Sequence, residues 1–216
     1  MRILAIIATC LFAAAASAQE WPKTSHDGLQ LQADTGGAVV YWRDGATLEG
    51  YSKIYLVEAA VAFQKNWQRD QNAKTVSASN RISSSDMEAI KRSLSDEFRA
   101  VFVDELQNKG GFEIVEEIGE DVLLIRPAII NLYINAPDVR NTGRDINMVT
   151  SAGEMTLYLE FYDAYTGSII GRVLDRQVDQ AADFAMGSNR VTNRRVAEGI
   201  LRGWAQELRE HMSELP

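Results

Sequence analysis

Glu154-Met155-Thr156-Leu157-Tyr158-Leu159-Glu160-Phe161-Tyr162 decides the architecture. Its odd positions are apolar and its even positions polar or amphipathic. A strand of period two therefore buries one face and wets the other. Asp163-Ala164-Tyr165-Thr166-Gly167 follows as a turn, in which the aspartate can bond local amides and Gly167 can supply a positive φ. Ile169 to Val178 then returns as the partner strand of a hairpin.

Working outward, Phe112 to Val115 and Asp121 to Ile134 read as two further strands across an acidic turn. Pro127 is expected at an edge or bend, since it has no amide for a ladder. Lys53 to Phe63 reads as one strand, with the β-branched and aromatic core Ile54-Tyr55-Leu56-Val57. The polar stretch Gln64 to Ile82 reads as a long loop, as does Pro137 to Thr150.

Two helices carry the complementary apolar stripes. Ser85 and Glu88 form a capping box at the head of the first. Met87, Ile90, Leu94, Phe98, Val101, Phe102 and Leu106 follow at steps of three and four. Lys109 suits the negative end of the dipole, and Gly110-Gly111 stops the helix. The second spans about Thr192 to Met212, with Val196, Ile200, Trp204 and Leu208 on its inner side, and His211 complementing the dipole. The order β-α-β-β-β-β-α predicts an α+β fold: a mainly antiparallel sheet of about five strands, with two long helices packed on one face. Residues 19–50, rich in Gly and Asp with Trp21 and Trp42, read as an irregular lead-in, and residues 51–216 as a single α+β domain.

Residues 1–18 read as a secretory signal. Arg2 precedes the apolar run Ile3 to Ala16, and Ala16-Ser17-Ala18 places small residues for cleavage between Ala18 and Gln19. The run is shorter than the roughly 20 residues a spanning helix needs, and no later segment spans a bilayer. Cys10, the sole cysteine, lies inside this leader. Thr9 stands where a lipoprotein signal has Gly, Ala or Ser, so lipid attachment at Cys10 is not expected. A mature chain without cysteine excludes disulfides, thiol catalysis and cysteine-ligated metal. The formal charge of -8 disfavours nucleic acid as a partner.

Leu48-Glu49-Gly50-Tyr51-Ser52-Lys53-Ile54-Tyr55-Leu56, Asp121 to Ala128, Glu160 to Gly167 continuing to Arg172-Val173-Leu174-Asp175-Arg176, and Trp204 to Arg209 occur in an order and spacing that extend over most of the mature chain. In these segments the chain resembles the bacterial family catalogued as domain of unknown function 3313. The resemblance implies an envelope protein of a Gram-negative bacterium, a family commonly predicted to be lipoproteins, and it implies no catalytic residue set. The weak lipidation site departs from that pattern and leaves the periplasm as the implied compartment.

Chemical motifs reduce to structure at most positions. Asp34-Thr35-Gly36 spells the aspartic protease triplet, but Gln30, Gln32 and Ala33 precede it in place of an apolar strand, and a turn explains it. Asp175, Asp179 and Asp183 recur every fourth residue without calcium-loop spacing, and read as a solvated strand end. His26 and His211 are far apart, and no Gly-x-Ser-x-Gly elbow places a nucleophile. Trp67 and Arg69 in the first polar loop, and Arg140 and Arg144 in the second, are the candidate binding residues, able to supply stacking and anion contacts. Their default reading is that of solvated loop residues. The expectation is a non-enzymatic periplasmic binding or assembly-accessory module, without cofactor or metal, for an envelope protein or cell-wall partner. The alternative is a hydrolase with paired carboxylates such as Asp175 and Asp179.

Overall fold

The structure, a computed structural model, describes residues 21–34, 38–76, 81–135, 151–178 and 190–214. Its strands are β1 (Gln30–Asp34), β2 (Ala38–Trp42), β3 (Lys53–Leu56), β4 (Ala60–Phe63), β5 (Glu113–Ile114), β6 (Val122–Asn135), β7 (Ser151–Asp163) and β8 (Ile169–Val178). The helices are α1 (Trp67–Ala73), α2 (Ser84–Val103) and α3 (Arg190–Glu214), and α2 runs on into a π-helical segment, Asp104–Lys109. One sheet has the order β1-β2-β8-β7-β6-β3-β5, with β4 also paired to β6. No helix among the described residues is long and apolar enough to cross a membrane.

This overturns the expected sheet of about five mainly antiparallel strands with two helices. Eight strands form one mixed sheet, and three helices are described. Four differences account for the correction. First, β1 and β2 form inside the supposed lead-in, where β2 pairs antiparallel with β8. Second, Lys53 to Phe63 is two strands, both parallel to β6. Leu56 to Ala60 spans one residue more than its counterpart Ile125 to Ala128, so the ladder breaks between them. Third, β5 is parallel to β3. Parallel neighbours need a long crossover, which α2 provides. Fourth, α1 occupies part of the predicted first loop. It is too short for an apolar stripe, and Trp67 is its buried residue.

Pro127 lies in a central strand, not at an edge. Ile125 accepts the Val57 N–H at 3.0 Å, so the nitrogen of Pro127, two residues on, faces the same side. There it meets the break between β3 and β4, where no amide is required. Helix α2 sutures the same break. Ser95 Oγ donates to the Ala59 carbonyl at 2.9 Å, and Arg99 Nη1 to that of Leu56 at 3.0 Å.

The hairpin and the stripes form as expected. Asp163 Oδ1 accepts the Thr166 amide at 2.6 Å, and Gly167 has φ 69°. Met155, Leu157, Leu159 and Phe161 are all buried, beneath Leu94, Phe98, Phe102 and Leu106 of the α2 side and Leu201 and Trp204 of α3. The head of α2 differs from the expected cap. Ser83, not Ser85, caps the helix: its Oγ accepts the Asp86 amide, and the Asp86 carboxylate accepts the Ser83 amide at 2.7 Å. The helix therefore starts two residues earlier, just over a half-turn, and Glu88 pairs instead with Lys91.

Candidate functional site

Helix α2 packs on β4 and α3 on β7, and the two helices touch. The sheet continues past them to β8 and β2. The register Leu157↔Asp175↔Ala38, Leu159↔Val173↔Val40 and Phe161↔Gly171↔Trp42 aligns three residues per row on the helix side. Between this floor and the outer flank of α3 lies a cavity of about 430 Å³. Trp204, Leu208 and Met212, at helical spacing, form its roof, and Ala46 to Leu48 its side. The exposed Glu207 and His211 mark its mouth. Its volume lies in the range of small-molecule sites, and its walls are mainly apolar.

The rows are closed by specific contacts. Gly171 leaves room for the Trp42 ring, which a Cβ would overlap. The indole of Trp42 donates to the Ala46 carbonyl at 2.9 Å and tilts against Phe161 at 5.6 Å between centroids. Asp175 stands between Leu157 and Ala38 on the buried face, 7% exposed. Its Oδ2 accepts from Trp204 Nε1 at 2.5 Å and from Gln177 Nε2 at 2.9 Å. No Lys or Arg lines the cavity among the described residues.

A second polar cluster occupies the opposite face. Arg172 bonds Glu160 Oε1 through Nε at 3.2 Å and Nη2 at 3.0 Å, and its guanidinium also grips Asp27. Tyr158 and Tyr162 donate to Glu160 at 2.5 and 2.9 Å. Burial works against the Asp27 carboxylate, but the bonds from Arg172 and Ser25 outweigh it and hold its pKa at about 2. Burial and the bond to Glu160 push Tyr158 up to about 12. Each charge has an internal partner, and the cluster clamps residues before β1 onto the sheet. Leu29, Val39 and Tyr41 pack beside it as a small second core.

Among the residues proposed from sequence, Trp67 is 2% exposed. It stacks on Phe63 and donates to the Ile134 carbonyl at 3.1 Å, so it is core. Arg69 pairs with its neighbour Asp70 on the surface. Arg140, Arg144, Asp179, Asp183 and the leader with Ala18 and Gln19 lie outside the described residues. Asp175, expected at a solvated strand end, is buried and lines the cavity. Val39-Val40-Tyr41-Trp42 carried the strand signal that would have found the floor. The position of Asp175 required the register. No group of three or more His, Cys, Asp or Glu among the described residues is placed to hold a metal.

A family model described as "Protein of unknown function (DUF3313)" matches residues 22–208. Two solved structures of the PelC dodecamer from Paraburkholderia phytofirmans, one of them a variant, resemble the chain at 11% identity. Each match covers 80% of this chain and 97% of the other, with TM-scores of 0.37 for the variant and 0.39. No curated protein matches.

Proposed function

The chain belongs to the DUF3313 family, and from that premise we propose that it is a non-enzymatic binding or assembly-accessory module of the bacterial envelope. The observation that carries the reading is the apolar cavity between α3 and the β7-β8-β2 floor. A soluble domain would gain stability by filling such a space, and an open one of this size serves a ligand. The leader at residues 1–18 supports placement in the periplasm, where an envelope protein or cell-wall component is the partner class.

The test is binding of the neutral apolar dye N-phenyl-1-naphthylamine to the mature protein. Saturable one-site fluorescence enhancement is expected. Val173→Trp, which fills the floor, abolishes it while the thermal melt remains cooperative. Absence of saturable binding to the wild type overturns the reading. Fractionation tests placement: native protein beginning at Gln19 should appear in the periplasmic fraction, and protein retaining Met1 among cytosolic markers overturns it.

A further inference from the structure

Asp175 has more acceptor capacity than the fold uses. Both its hydrogen bonds, from Trp204 and Gln177, end on Oδ2. Oδ1 receives none from any described residue, although the residue is more than nine-tenths buried and lines the cavity. Oδ1 is not sealed off without a partner: it is open to whatever occupies the cavity, and a carboxylate oxygen there is an acceptor for that occupant. Leu157 and Val173 adjoin it on the floor, and neither can donate.

The charges around it narrow the class of donor. Asp175 within and Glu207 at the mouth are both acidic, and no Lys or Arg lines the cavity among the described residues. An anionic head group would face repulsion without a counter-charge. The remaining lining is apolar and suits a hydrocarbon chain.

We propose that the cavity takes a single-chain amphiphile whose head group is a hydrogen-bond donor and not an anion, with the chain on the floor and the head on Asp175 Oδ1. This rests on the reading of the cavity as a binding site, and it adds the ligand's class. Trp204 is a positioning residue here: its indole holds Oδ2 and so turns Oδ1 toward the ligand.

The experiment is displacement of N-phenyl-1-naphthylamine from the mature protein by dodecylamine, dodecanol and laurate at pH 8. The amine and the alcohol should both displace the dye at concentrations at least about tenfold below laurate. Asp175→Asn, which keeps an acceptor for Trp204, should bring the three within about threefold of one another, each measured against that variant's own dye affinity. Laurate equal to either donor in the wild type overturns the proposal, as does a gap that survives in a folded Asp175→Asn variant. The wild-type ranking decides even where that variant does not fold. Dye binding without the ranking removes the head-group assignment alone. Absence of dye binding removes the cavity reading with it.

Discussion

Arg172 Nη2 lies 2.5 Å from Asp27 Oδ2, joining the penultimate described element of the chain to a residue that precedes its first strand. The same nitrogen lies 3.0 Å from Glu160 Oε1. Arg172→Met leaves the buried Glu160 with only the exposed Arg126, 3.7 Å away, as a cation, and a loss of about 3–5 kcal/mol is expected in urea unfolding. Asp27→Asn removes only the partly exposed partner, and should cost about 1–3 kcal/mol. An Arg172→Met variant as stable as the wild type would show that the clamp contributes nothing.

The acid limb follows from the same pair. The Asp27 pKa, about 2 in the fold, lies below the unfolded value near 3.9. Its contribution is therefore complete above the unfolded value and fades as pH falls toward 2. The stability gap between wild type and Asp27→Asn should narrow from pH 5 to pH 2, as read from urea midpoints at each pH. A constant gap would contradict the assignment.

At the head of α2, the bond geometry separates two neighbouring serines. Ser83→Ala should destabilise by about 1 kcal/mol, and Ser85→Ala by a few tenths. Equal losses in thermal melts, or a larger loss at Ser85, would move the cap to the position suggested by the sequence.

Ser95 is 4% exposed and its hydroxyl donates to a carbonyl at the strand break. Ser95→Ala leaves the Ala59 carbonyl buried and unpaired, at a cost of about 1–3 kcal/mol. Amide hydrogen exchange should rise locally around β4. Unchanged exchange there would mean that α2 does not hold the break.

Gly171→Ala forces the Trp42 ring off the floor, since the added methyl overlaps it. A loss of about 1–3 kcal/mol is expected, with altered tryptophan emission and weakened dye binding. Intact emission would show that the ring has no fixed seat.

The hairpin and the two apolar stripes were legible because period two and period 3.6 survive in the residue order. Leu157 and Phe98 announce their burial without any partner being known. Parallel pairing left no such mark. Residues 53–63 are apolar whether they run beside β6 as one strand or two, and the inserted residue at the break shows only against Ile125 to Ala128. Trp67 misled because an isolated tryptophan among polar residues looks like a loop residue, while its indole reaches the Ile134 carbonyl across the fold. Asp175 misled in the opposite sense: an acid usually marks solvent, and its burial depends on Trp204, far along the chain.

The seating of β2 against β8 sets a timetable for the molecule. The strand made early can pair with β1 at once, but its other edge must wait until nearly the whole polypeptide has followed it, so folding is dominated by distant contacts and is slow for a domain of this size. A polypeptide interrupted before Ile169 would retain the α2 stripe and the β6-β7 ladder, yet its N-terminal hairpin would have nowhere to dock.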